Sequence, residues 1–296
     1  MCIIINILEI IKNTEIEVIF MEGIDKENLI IIGGAEDKKG NKEILRYVSS
    51  IINKSKDKLL IATVATENPK EVGESYNELF VDLGVKNVDI LYVNSRKEAT
   101  YKNNIQKMKE ASLVFFTGGD QLRITSVLGG TPLYEAMKAA YEEGCIFVGT
   151  SAGASVMSHT MIIEGNDDES PRKCTLKMAP GLGFIKDIII DQHFAQRGRI
   201  GRLLVGIAEN PEVLGIGIDE DTAIVVNRNG TFKVIGSGAV YVIDGRSITK
   251  SNVSEQFPEE LLSIFDVNMH VLKKGNGFNL NSKVPFEEDR LKNEDN

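Results

Sequence analysis

Residues 145–155 read Cys-Ile-Phe-Val-Gly-Thr-Ser-Ala-Gly-Ala-Ser, an apolar run that passes into Gly149-Thr150-Ser151-Ala152-Gly153. A short run of apolar and β-branched residues bounded by glycine is a buried strand, and the small residues after it open a helix. Gly-x-Ser-x-Gly at such a junction is a tight turn that lifts a serine hydroxyl out of the carboxyl edge of a sheet. The same letters also suit a plain helix N-cap at Ser151 with glycines that serve packing alone. The strand-turn-helix setting favours the nucleophile.

Upstream, apolar runs at 28–34, 59–66, 87–93 and 112–119 alternate with helical stretches at 41–56, 69–84, 97–111 and 131–144. Continuous apolar strands, rather than alternating ones, belong to a parallel sheet covered on both faces. The fold class expected is α/β, a doubly wound, mostly parallel sheet with helices on both faces. After residue 160 the texture changes. The polar stretch 164–173 is followed by strand-like runs at 187–192, 214–219, 222–236 and 239–245, with Asn229-Gly230 as a hairpin turn signal. These strands are expected to extend the same sheet, so residues 21–280 read as one α/β hydrolytic domain. Residues 1–20 read as an appended extension, and 281–296 as a charged, frayed tail.

With 296 residues and 42% hydrophobic composition the chain can bury a large core. A net charge of -9 opposes general polyanion binding and excludes nucleic acid as an expected partner. The cysteines, Cys2, Cys145 and Cys174, are too few and too scattered for a disulfide framework or a zinc site. The first residues lack a positive n-region and a cleavage site, and the longest uncharged run there, Met1 to Leu8, is too short to span a bilayer. The expectation is a cytoplasmic protein without membrane attachment.

A serine nucleophile needs a base, an orienting acid and donors for the oxyanion. The Ala152 N–H at the helix start is one donor. The turn 116–121, Phe-Thr-Gly-Gly-Asp-Gln, lies at a neighbouring strand end and offers a second, taken as Gly119. Of three histidines, His159 lies past the helix that follows Ser151 and His270 in the C-terminal stretch, whereas His193 ends the strand 187–192 on the same rim as Ser151. His193 is the expected base. Asp219, Glu220 and Asp221 end another strand, and Glu220 is the chosen acid; Asp167 or Asp168 would give the serine, acid, histidine order instead. Arg197, Arg199 and Arg202 follow within nine residues of His193 and suggest bidentate recognition of substrate carboxylates. Neither glycine pair, 33–34 or 118–119, fits a phosphate-binding motif.

Gly-Gly-Ala-Glu-Asp-Lys at 33–38, Gly-Gly-Asp-Gln at 118–121, Gly-Thr-Ser-Ala-Gly-Ala at 149–154, Asp-Gln-His-Phe and Arg-Gly-Arg-Ile-Gly-Arg between 191 and 202, and Gly-Ile-Asp-Glu-Asp-Thr-Ala at 217–223 together resemble the cyanophycinases. That resemblance spans about residues 28–245 in order. It implies a class I glutamine-amidotransferase-like fold and a serine exopeptidase that cuts cyanophycin, a polymer of aspartate and arginine, to β-aspartyl-arginine dipeptides through an acyl-enzyme. Ser151, His193 and Glu220 would form the triad, and Gln121, Asp191, Gln192, Arg197, Arg199 and Arg202 would line the substrate groove. No cofactor and no metal are implied, and relatives tend to be homodimers. An aspartyl dipeptidase or a non-catalytic binding protein of the same fold are the rival readings.

Overall fold

The computed structural model describes residues 27–288 apart from 255, 256 and 259, so the 1–20 extension and the last residues of the tail lie outside the described residues. The first half follows the alternation in the sequence: β1 (Glu27–Ile32), α1 (Glu43–Ser50), β2 (Lys58–Ala62), α2 (Pro69–Asp82), β3 (Asn87–Leu91), α3 (Lys102–Lys109), β4 (Leu113–Phe116), α4 (Gln121–Leu128), α5 (Pro132–Glu142), β5 (Ile146–Thr150) and the short α6 (Ala152–Ser155). Strands β3-β2-β4-β5-β1 lie side by side, all parallel. On one face Ile30, Ile32, Phe115 and Val148 pack with Ile44 of α1 and Tyr76 and Phe80 of α2. On the other, Leu29, Ile31, Phe116 and Phe147 pack with Met108 of α3, Ile124 of α4 and Met137 of α5. Burial on both faces is why these strands carry no polar alternation.

Two expected helices are shorter than the sequence suggests. The stretch 41–56 is helical only to Ser50, because Asp57 accepts from the Asn53 N–H and Asn53 from the Ser55 N–H, side-chain bonds that compete with the helix. The stretch 97–111 breaks at Tyr101, which is extended (ψ 130°), and the Glu98 carbonyl exposed by the break accepts from Asn104 Nδ2 at 2.9 Å.

The second half comprises β6 (Thr160–Glu164), β7 (Lys177–Pro180), β8 (Ile188–Gln192), α7 (Ile200–Glu209), β9 (Leu214–Ile218), β10 (Thr222–Asn227), β11 (Thr231–Gly236), β12 (Val240–Asp244), β13 (Lys250–Ser251), β14 (Ile264–Phe265), β15 (Asn268–Leu272), β16 (Asn276–Asn279) and β17 (Val284–Glu287). Only four of these extend the main sheet: β10, β11, β16 and β17 add antiparallel beyond β1. Strands β8, β9, β12 and β15 instead form a second sheet in the order β15-β12-β9-β8. Alternation explains that layer. Ile190, Ile216 and Val242 join the main core, while Ile189 and Ile243 pack with Leu203 and Ile207 of α7. Residues 284–287 of the expected frayed tail pair with β16, and the Phe286 ring fills the space over Gly277.

Among the described residues no helix is long and apolar enough to cross a membrane. The carboxyl ends of β1, β5 and β8 converge. The turn after β1 joins them: Ile32 O accepts from Ser151 N (3.1 Å), Gly33 O from His193 N (2.8 Å) and Gly34 O from Asp221 N (2.9 Å).

Candidate active site

Ser151 sits between β5 and α6 at φ 54° and ψ -113°. A non-glycine residue there costs about 1–3 kcal/mol and persists only where its surroundings impose it. Gly149 and Gly153 do so by close approach: a Cβ on Gly149 would stand 2.1 Å from Gly153 O, and one on Gly153 2.5 Å from Phe116 O. The hydroxyl therefore projects from the rim, as the Gly-x-Ser-x-Gly pattern predicts.

The Ser151 Oγ lies 2.9 Å from His193 Nε2, and His193 Nδ1 lies 2.6 Å from Glu220 Oε1. A carboxylate beside Nδ1 accepts its proton, which leaves Nε2 as the acceptor for the serine hydroxyl. His193 also has a positive φ of 49°. Its ring rests on Gly34, where a Cβ would stand 2.4 Å from Cε1, while a Cβ on Gly33 would stand 2.0 Å from Asp219 O, so one glycine of the pair makes room for the imidazole and the other for the neighbouring strand end. Burial holds the imidazole pKa below its ordinary 6.5; the Glu220 carboxylate opposes that shift, and Arg197 and Arg199 reinforce it.

The three acids at 219–221 separate by role. Asp219 accepts from Ala195 N (3.0 Å) and Ala239 N (3.0 Å), and Asp221 from Asp37 N (2.9 Å) and the Ser237 hydroxyl (2.7 Å). Only Glu220 faces His193. Asp167 pairs with Arg199 and Arg202, so the alternative acid is engaged elsewhere. His159 lies beside Thr160 and His270 against Phe278, both apart from this rim. Cys145 offers no rival nucleophile, since burial pushes its thiol up to about 12.

The turn 116–121 meets the elbow as expected, with a Cβ on Gly118 only 3.3 Å from Ser151 Cβ. Neither the Gly119 nor the Ala152 N–H donates to another described residue. Because α6 has four residues, an anion here would draw on oriented N–H groups rather than on a helix macrodipole. Gln192 Oε1 is 3.5 Å from the Ser151 hydroxyl. Gln121 is turned to β6, donating to Ile162 O at 3.0 Å.

The arginines divide. Arg197 is exposed, and its guanidinium makes no hydrogen bond or ion pair to another described residue. Arg199 and Arg202 are buried and already hold carboxylates, those of Asp167 and Asp191. Their clustering in sequence gives no sign of these partners, which come from the 164–173 stretch and from β8.

Glu36 escaped the sequence reading. Its side chain is 1% exposed, accepts from the Thr150 hydroxyl (2.5 Å) and from the Tyr76 hydroxyl, and has Lys38 Nζ at 3.6 Å. Thr150 directly precedes the strained serine. A hydrogen bond to a charged group contributes roughly 1.5–3 kcal/mol, comparable to the cost of the Ser151 backbone. The only signal for it was its place within Gly-Gly-Ala-Glu-Asp-Lys. Among the described residues no group of three or more His, Cys, Asp and Glu is placed to hold a metal ion.

Comparison with known proteins identifies the family. The sequence model of peptidase family S51 matches residues 29–235. The chain is 39% identical over 256 residues to a cyanophycinase of Trichormus variabilis, covering 86% of each. It is 36% identical over 262 residues to one of Geminocystis herdmanii, covering 88% of this chain and 96% of that one. In fold it is similar to the crystal structure of a peptidase from an acI-B1 Actinobacterium, with TM-score 0.60 and 21% identity over 87% of this chain and 98% of the other. A shared family model and extensive similarity to these relatives lead to one assignment: the chain belongs to peptidase family S51.

Proposed function

We propose that this protein is a serine exopeptidase that hydrolyses cyanophycin, multi-arginyl-poly-aspartate, to β-aspartyl-arginine dipeptides. The single observation that carries the chemistry is the unbroken relay from Ser151 through His193 to Glu220, at 2.9 and 2.6 Å. The substrate rests on the cyanophycinases that the chain matches over most of its length.

Ser151 attacks the scissile carbonyl as His193 Nε2 takes its proton, and Glu220 stabilises the imidazolium that forms. The N–H groups of Gly119 and Ala152 receive the oxyanion. His193 then returns the proton to the leaving amine. Water attacks the acyl-enzyme with His193 again as base, which frees Ser151. Arg197, Gln192 and Gln121 flank the groove, and the exposed guanidinium of Arg197 suits a carboxylate of the poly-aspartate chain. The same reading makes the protein a cytoplasmic homodimer, and light scattering on the purified protein tests the dimer.

Incubation of the purified protein with cyanophycin and with simple aspartyl dipeptides tests the substrate. Release of β-aspartyl-arginine from the polymer is expected, and cleavage of the short peptides alone would point to an aspartyl dipeptidase. The pH dependence tests the base. His193 acts as base only when neutral, and its pKa lies below 6.5. As pH falls, kcat/KM should reach half its plateau at a midpoint below 6.5 and drop about tenfold per unit beneath that midpoint. A midpoint above 6.5 would contradict the assignment.

A further inference from the structure

The two carboxylates that Arg199 and Arg202 hold differ in kind. Asp191 lies on β8, is 1% exposed, and is gripped by Arg202 through Nε (2.6 Å) and Nη2 (2.5 Å). Strand and core hold it in place. Asp167 lies in the exposed segment between β6 and β7, and its side chain is 39% exposed. It takes Arg199 Nε and Nη2 at 2.9 and 3.3 Å, a bidentate pair, and Arg202 Nη1 at 2.9 Å. The guanidinium groups beneath it are buried, with Arg199 5% and Arg202 8% exposed. An aspartate side chain of this protein thus holds, in the pairing geometry proper to any carboxylate, a two-arginine seat close to the nucleophile. That closeness runs through one residue: Arg199 Nη1 donates to Gln192 O (2.7 Å), and Gln192 Oε1 is 3.5 Å from Ser151 Oγ.

We propose that Asp167 is an affinity-determining residue, which occupies from within the chain the position that Arg199 and Arg202 offer to a side-chain carboxylate of the substrate and which yields it on binding. The proposal rests on reading the Ser151 site as one that takes an aspartate-rich peptide. Two guanidinium groups and two carboxylates make a neutral cluster. Exchange of one aspartate carboxylate for another keeps it neutral and leaves no buried guanidinium unpaired at either end of the exchange, the condition under which a buried ion pair can be broken at all. The segment is attached in a way that allows this. Its far side is fastened, with Leu262 N on Pro171 O (2.8 Å), Lys173 N on Glu260 O (2.9 Å) and Lys173 Nζ on the Glu260 carboxylate (2.8 Å). Its near side, residues 166–170, is exposed and adds one backbone bond to the site, Asp168 N to Arg197 O at 3.1 Å. Substrate affinity falls by the fraction of time the seat is open, so a seat open one tenth of the time weakens binding about tenfold.

The test compares wild type with Asp167→Ala and with Asp167→Asn, which keeps the shape of the side chain but not its charge. N-acetyl-aspartate is the probe, titrated by calorimetry, alongside KM for cyanophycin. Asp167→Ala should bind the probe about tenfold tighter and lower KM severalfold, with Asp167→Asn shifted in the same direction. Unchanged or weaker probe binding in correctly folded variants overturns the proposal. Failure of both variants to fold overturns it as well, since Asp167 is then a structural tie. If wild type leaves cyanophycin uncut, the functional reading fails by itself, and the probe titration still decides the role of Asp167.

Discussion

Replacing Ser151 with alanine is expected to lower kcat about 10⁴-fold or more while thermal unfolding stays within a few degrees of wild type. The two halves of that expectation have separate grounds. Activity goes because no other described nucleophile faces His193 Nε2: Cys145 is buried with its thiol pushed up to about 12. What rate remains comes from binding and from the oxyanion donors, which the substitution does not touch. Stability stays because the hydroxyl makes few contacts, to His193 at 2.9 Å and Gln192 at 3.5 Å, and because alanine at φ 54° is strained as serine is. Steady-state rates beside a melting curve check both halves. Near-normal turnover in the variant would remove Ser151 from the mechanism.

Glu220→Gln is the second large effect, expected to lower kcat about 10³-fold or more at near-wild-type stability. The amide has the size of the carboxylate, and Glu220 is half-exposed, so packing changes little. Two losses combine. The charge that stabilises the imidazolium disappears, and the amide can present an N–H to Nδ1, which would put the ring proton on Nε2 and turn the acceptor for Ser151 into a donor. A shift in pH dependence should accompany the loss. Glu220 raises the His193 pKa against the effect of burial, so without it the acid limb of residual activity should move to lower pH. A limb that moves upward, or a variant with full activity, would show that another group orients the histidine. Asp219 and Asp221 are poor replacements, since both bind backbone N–H groups of neighbouring turns.

How much of this was legible in sequence depended on the range of the interaction. The elbow was readable because its cause is local: Gly149 leaves room for Gly153 O and Met157, and Gly153 for Phe116 beside it. His193 could be chosen by elimination, since strand topology alone places it at the rim. Among Asp219, Glu220 and Asp221 no local rule separates an orienting acid from a turn-binding one. The difference lies in contacts with Ala195, Ala239, Asp37 and Ser237, distant in the chain. The arginines show the same limit. Arg197, Arg199 and Arg202 stand close in sequence and suggest a cluster free for substrate, whereas two are paired to Asp167 and Asp191. The fold was readable through the five parallel strands, whose two-sided burial writes an unbroken apolar signature. The second sheet was not, because β8, β9 and β12 are buried as well, between the main core and α7, and an apolar run does not show which sheet it joins.

Every step of the reaction depends on activation of the Ser151 hydroxyl by His193. Labelling with a fluorophosphonate, followed by peptide mass spectrometry, reads that activation out, because the probe records nucleophilicity without any assumption about substrate. The expected result is a single adduct on Ser151, formed at a rate that falls by orders of magnitude in His193→Ala. An adduct on a different residue, or labelling of Ser151 at an unchanged rate in that variant, would contradict it.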